Sequence, residues 1–96
     1  MMDIKWSAPS TRDLHKIEAH IAQDDPRASV KVVLSIIERV ETLLPIHPAA
    51  GRPGSVFNTR ELVLTRYPYK IVYQVRGKIL YVLRVLHTAQ KWPQHE

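Results

Sequence analysis

The chain has 96 residues, 45% hydrophobic and 24% charged, which is enough to build one core and too balanced for a disordered segment. It contains no cysteine, so disulfides, thiolate nucleophiles and thiolate metal sites are all excluded. Residues 51–96 carry eight Lys and Arg against only Glu61 and Glu96, a one-sided excess that steers anionic partners, either nucleic acid or an acidic protein segment.

No apolar stretch approaches the roughly 20 residues that span a bilayer. The start, MMDIKWSAP, lacks the basic and apolar regions of a signal peptide. The expectation is a cytoplasmic chain with no membrane partner, folded as a single domain over residues 1–96.

DIKW, residues 3–6, is a short strand candidate. A helix follows, with Ser7 as cap and Pro9 tolerated in the first turn. Leu14, Ile17 and Ile21 recur at helical spacing, with Arg12, Asp13, Lys16 and His20 elsewhere around the wheel. In QDDP, Asp25 caps a second helix whose first residue is Pro26, where a missing N–H costs nothing. Val30, Val33, Leu34, Ile37, Val40 and Leu44 form its apolar stripe, and Pro45 and Pro48 stop it. A tight turn between the two gives an antiparallel helical hairpin.

PAAGRPGSVFN has the proline and glycine density of a loop, and after it the period changes from helical to alternating. Leu62 and Leu64 begin one strand, YKIVYQVR forms a second and KILYVLRVL a third. A three-residue loop with Gly77 in the left-handed position keeps odd positions together. It places Tyr69, Ile71, Tyr73, Val75, Ile79, Tyr81, Leu83 and Val85 under the helices. The opposite face then carries Lys70, Gln74, Arg76 and Arg84 among Val72, Leu80 and Val82. The predicted fold is α+β: a two-helix antiparallel hairpin packed on one face of a small, mostly antiparallel four-stranded sheet, in the order β-α-α-β-β-β.

The motifs narrow the chemistry. His15 and His20 are five residues apart and point in different directions around a helix, so they do not make the i, i+4 pair that holds a metal; no metal and no cofactor are expected. GRPG lacks the spacing of a phosphate-binding loop, and no serine sits in a nucleophile elbow. A metal-free endoribonuclease needs a proton-transfer group and cations around the phosphate. Arg60, Arg66, Lys70 and Arg84 can supply the cations and His87 the proton; the competing account of each cation is a solvated strand face. His87, at the end of the last strand on the helix side, also suits a packed or hydrogen-bonded role. Trp92, beside Pro93, is either a stacking platform for a base or a closure for the edge of the core.

A short strand, two antiparallel helices, a GRPG loop and the run TRELVLTRYPYKIVYQVRGKILYVLRVLHTAQKWP together resemble the RelE/ParE superfamily of toxins from type II toxin–antitoxin systems. The likeness covers nearly the whole chain, and GRPG, REL, YPYKIVYQV, VLH and the WP ending look most like the ParE branch. The resemblance implies a toxin held inactive in a hetero-oligomer with a cognate ParD-like or RelB-like antitoxin encoded nearby. ParE-like members poison DNA gyrase by protein–protein contact; RelE-like members cleave mRNA on the ribosome. For the nuclease alternative, the residues at matching positions are Arg60, Lys70, Arg84 and His87. Thr88, Ala89 and Gln90 stand where a further Arg would be, which favours a non-enzymatic toxin. The expected target-binding set is then Arg84, His87, Lys91 and Trp92, and the expected antitoxin-binding set is Leu14, Ile17, Ile21, Lys70 and Arg76.

Overall fold

Strand β1 (Asp3–Trp6) runs straight into helix α1 (Ala8–Ala22), and Ser7 makes the junction. Its hydroxyl oxygen accepts the Ser10 N–H at 3.1 Å, capping the helix, and its O–H donates to the Leu83 carbonyl at 2.9 Å. Helix α2 (Pro26–Leu43) starts on Asp25, whose carboxylate accepts from the Ala28 N–H. The computed structural model describes residues 2–93. After the helices come β2 (Arg52–Pro53), β3 (Arg60–Val63), β4 (Tyr69–Arg76) and β5 (Ile79–His87). The sheet order is β1-β5-β4-β3-β2, with β1 parallel to β5 and every other pair antiparallel.

The predicted class holds, with one strand more than expected. Arg52 and Pro53, inside the expected loop, pair with Glu61 and Arg60 and form a two-residue edge strand. Proline and glycine density marked the turns on either side of it; a strand this short has no periodicity to detect.

The β4–β5 hairpin differs from the expected one. Arg76 pairs with Ile79, so the loop has two residues, Gly77 and Lys78, with Gly77 at φ 59° as the first residue of such a turn can require. Near the turn, odd positions therefore oppose even ones: Tyr73 faces Val82, and Val75 faces Leu80. A bulge between Val72 and Tyr73 on the register then leaves Leu83 without an opposite residue, and beyond it Ile71 pairs with Val85 and Tyr69 with His87. Leu80, Val82 and Val85 consequently join Tyr69, Ile71 and Tyr73 in the core, while Ile79, Tyr81 and Leu83 do not.

The rotation of α2 also departs from the expected stripe. Val32, Val33, Ile36, Val40 and Leu44 are buried, whereas Val30 and Leu34 are 50% and 59% exposed. The helix has apolar residues on two adjacent arcs, and only packing against α1 and the sheet selects between them. Among the described residues, no helix is long and apolar enough to cross a membrane.

Tyr73 ties the sheet to the loop after α2. Fully buried, it donates its O–H to the Pro48 carbonyl at 2.7 Å and accepts the Gly51 N–H at 2.9 Å. Gly51 must approach this ring closely: a Cβ there would lie 2.8 Å from Tyr73 Cε1 and 3.0 Å from the Glu61 carbonyl carbon.

Candidate functional surface

Each of the three central candidate cations is already engaged within the chain. Arg84 makes a two-point contact with Asp13 of α1, Nε to Oδ2 at 2.7 Å and Nη2 to Oδ1 at 2.9 Å. The same Oδ2 accepts the Val85 N–H at 2.9 Å. The reason is local: β1 stops at Trp6, opposite Val82, so beyond that point the outer edge of β5 has no strand beside it among the described residues, and Asp13 takes the place of one. The Asp13 hydrogen bonds raise the Arg84 pKa above its ordinary value, against the lowering effect of burial. Arg84 lies opposite Val72 in the register, on the side expected for it, but its guanidinium is engaged at the α1–sheet junction by Asp13.

Lys70 lies on the face away from the helices, opposite Leu86. Its Nζ is 3.2 Å from Glu61 Oε1 on the neighbouring strand, and the two side chains are only 11% and 13% exposed. Arg60 donates from Nη1 to the Gly51 carbonyl at 2.7 Å, bracing the same loop that Tyr73 holds. These three cations therefore do not converge on a common point where a phosphate would sit. The outward face is also less open than expected: Val72 and Leu86, which point away from the helices, are 0% and 3% exposed.

His87 is exposed at the end of β5. Its Nδ1 accepts the Ala89 N–H at 3.0 Å, so in the neutral ring the proton sits on Nε2. The ring meets Tyr69 edge-on, with centroids 6.0 Å apart. Burial pushes the Tyr69 phenol above its ordinary pKa, which keeps it neutral. The Gln90 side chain accepts the His87 N–H at 2.9 Å and closes the turn. From there the tail returns to the β2–β3 loop, where the Ser55 hydroxyl donates to the Trp92 carbonyl at 2.6 Å. Lys91 is exposed and Trp92 half-buried.

The residues expected to meet an antitoxin fall into three groups. Leu14 and Ile17 are core residues, at 9% and 8% exposure, and have little surface of their own to offer. Ile21 is half-buried and lines, with Ile17, Val32 and Tyr67, a groove of about 570 Å³ between α1 and the end of the sheet. Arg76 is exposed, with its guanidinium 5.7 Å from the centroid of the Tyr81 ring. A second groove, of about 310 Å³, lies between α2 and β3. Beside it, β2 pairs only as far as Glu61, which leaves the outer edge of Leu62 and Val63 without a strand partner among the described residues.

Sequence analysis missed Asp13, Glu61, Ser55 and Phe57. Asp13 had a signal: with Ser10, Leu14 and Ile17 it falls within the buried arc of α1, and an acid there needs a cation. Glu61 stands among cations as the only acid between residues 51 and 95, which also marked it for pairing. Among the described residues, no group of three or more His, Asp or Glu is placed to hold a metal ion.

Two helices on one face of this sheet match the fold expected from the resemblance to RelE/ParE toxins. A family model described as the ParE toxin of the type II toxin–antitoxin system parDE matches residues 4–92. A putative toxin, Y4kP, from Sinorhizobium fredii is 43% identical over 91 residues, covering 95% of this chain and 93% of the relative. A solved structure of a chromosomal ParDE system from P. aeruginosa superposes with a TM-score of 0.82 at 34% identity, covering 91% of this chain and 96% of that one. The toxin–antitoxin complex RelBE2 from Mycobacterium tuberculosis shares the fold, with a TM-score of 0.66 at 22% identity and coverage of 90% and 96%. The chain belongs to the ParE toxin family of type II toxin–antitoxin systems.

Proposed function

We propose that this toxin inhibits DNA gyrase by protein–protein contact and is neutralised by a cognate antitoxin. One observation carries the choice of target class. The cations that an RNA-cleaving site would gather around a phosphate are each committed elsewhere: Arg60 to the Gly51 carbonyl, Lys70 to Glu61 and Arg84 to Asp13. A nuclease would have to break these contacts to stabilise the growing phosphate charge, and releasing Arg84 would leave a buried carboxylate unpaired. A binding protein needs no such rearrangement. Lys91 and Trp92, displayed on the tail, suit contact with a protein surface. Gyrase as the particular target follows from the likeness to the ParE branch.

The antitoxin is proposed to lay an apolar segment into the groove lined by Ile17 and Ile21, with acidic residues reaching the basic second half of the chain. The named antitoxin complexes among the structural relatives support such a partner. The deciding experiment expresses the toxin without antitoxin and assays the purified protein. Inhibited supercoiling, trapped gyrase–DNA cleavage complexes and a DNA damage response are the expected results. Cleavage of mRNA at ribosomal positions, with gyrase untouched, would replace this function with the RelE-like nuclease.

A further inference from the structure

Phe57 is 94% exposed, the most exposed large hydrophobic residue among those described, and its neighbour Val56 is 36% exposed. Neither belongs to a frayed segment. They sit at the tip of the β2–β3 loop, closed at its base by Gly54 N–H to the Thr59 carbonyl at 2.8 Å. Thr59, itself 5% exposed, donates both its N–H and, at 2.6 Å, its hydroxyl to the Val56 carbonyl. Asn58 turns the chain at φ 63°, a left-handed conformation that asparagine tolerates better than most residues. Ser55 then fastens the loop to the tail through the Trp92 carbonyl.

An aromatic side chain held out on a braced loop has its ordering cost met before any partner arrives, which is the property of an interface anchor. Its surroundings indicate the partner's chemistry. Residues 51–60 hold Arg52 and Arg60 and no acid, residues 87–93 hold Lys91 and no acid, and Arg52 and Lys91 are both exposed. Two free cations are few for tracking a phosphate backbone, and an aliphatic residue beside the ring matches an apolar pocket better than a stacked base.

We infer that Val56 and Phe57 form a preformed apolar anchor that seats in an apolar, acid-rimmed pocket on the toxin's protein target, beside the contacts made by Lys91 and Trp92. The inference rests on the gyrase reading and deepens it by adding a second contact segment, distant from the tail in sequence but joined to it by the Ser55–Trp92 hydrogen bond across 37 positions. Because the tip is solvent-exposed and makes no core contact, its substitution leaves the fold intact.

The test measures binding of full-length wild type, Phe57→Ala and Phe57→Leu to purified gyrase and to the cognate antitoxin, with thermal melts of each. Phe57→Ala is expected to weaken gyrase binding about 30-fold, through faster dissociation, and to change antitoxin affinity less than about 2-fold. Phe57→Leu, which fills an apolar pocket but cannot stack on a base, should retain binding within about 5-fold. If wild type binds gyrase and Phe57→Ala binds equally well, the anchor is wrong and the gyrase reading stands. Loss of antitoxin binding in place of gyrase binding assigns the tip to the antitoxin and overturns the inference. Binding of Phe57-dependent character to RNA, abolished by both variants, overturns it in favour of nucleic acid. A wild type with no affinity for gyrase removes the reading itself, and the anchor with it.

Discussion

Asp13 and Arg84 are 71 positions apart, and their side chains meet in a two-point ion pair, 2.7 and 2.9 Å, that joins α1 to the strand carrying the tail. Asp13 also satisfies the Val85 N–H, so one carboxylate serves three donors. Asp13→Ala strands a buried backbone N–H and a partly buried guanidinium together and is expected to destabilise the domain by about 2–3 kcal/mol. Arg84→Ala leaves the buried Asp13 carboxylate without its cation but still bonded to the Val85 N–H, strands no backbone donor, and is expected to cost somewhat less, about 1–2 kcal/mol. Urea unfolding of both variants measures the difference; equal effects, or an Asp13→Ala midpoint matching wild type, would contradict this account of the junction.

The close approach at Gly51 gives a second expectation. A methyl group there collides with the Tyr73 ring and with the backbone of Glu61, neither of which can rotate away. Gly51→Ala should therefore cost about 1–3 kcal/mol, as overpacking does. Gly77→Ala meets nothing within 4 Å, and its penalty comes from the positive φ alone. Melting both variants side by side checks the contrast, and a Gly51→Ala protein as stable as wild type would show that the Tyr73 loop yields.

Much of this architecture was legible in the sequence because capping and periodicity are local. Ser7, Asp25 and Pro26 placed both helix starts, and the switch to alternation after residue 59 placed the strands. What failed was non-local. The two-residue loop puts Leu80 and Val82 under the helices, and the bulge at Leu83, which falls where β1 ends beside β5, then brings Val85 into the core and sets Arg84 opposite Val72; both depend on pairing between separate segments. The same holds for the cations: their residue types were visible, but whether each was free or paired depended on Asp13, Glu61 and the Gly51 carbonyl.

Tyr73 supplies a pH dependence. Burial, the largest influence, raises its pKa above the ordinary 10.0, while the Gly51 hydrogen bond and nearby Arg60 pull it down. A raised folded value means the folded state holds the proton more tightly. The associated stability is complete below about pH 10 and declines as pH rises towards the folded value. Wild type should lose stability above about pH 10, with Tyr69 contributing in the same direction. Tyr73→Phe should be less stable at neutral pH, by about 1–3 kcal/mol for the unsatisfied Gly51 and Pro48 groups, yet show a shallower alkaline decline. Parallel alkaline slopes in the two proteins would rule out Tyr73 as the source.

Association with either partner should be salt-sensitive. The basic second half of the chain steers acidic surfaces from a distance, and that attraction is screened beyond about 8 Å at physiological ionic strength. Raising salt is expected to slow the on-rate more than it speeds dissociation. Stopped-flow mixing with the antitoxin across a salt series measures both, and an on-rate independent of salt would remove charge steering from the account.

The tail separates the two mechanisms. His87 is fixed by Ala89 and Tyr69 and shares a groove with Arg84, but the cations are bonded to Asp13, Glu61 and the Gly51 carbonyl and not to His87, which argues against a role as general acid or base. Folded His87→Gln is expected to remain toxic, whereas loss of essential proton transfer would reduce the chemical step by about 10²- to 10⁴-fold. Lys91→Glu combined with Trp92→Ala should abolish gyrase inhibition, because one reverses a contact charge and the other deletes an aromatic anchor. Trp92 is half-buried, so its truncation should cost less than the about 3–5 kcal/mol of a fully buried tryptophan. Thermal melts of every variant distinguish unfolding from lost contact. A third variant, Ser55→Ala, removes only the hydrogen bond that fastens the tail to the Phe57 loop. It should weaken gyrase inhibition while leaving the melting temperature almost unchanged, since an exposed neutral hydrogen bond contributes about 1 kcal/mol or less. If the tail variants inhibit gyrase normally and folded His87→Gln alone is harmless, proton transfer at His87 becomes the better explanation, and the nuclease alternative returns with it.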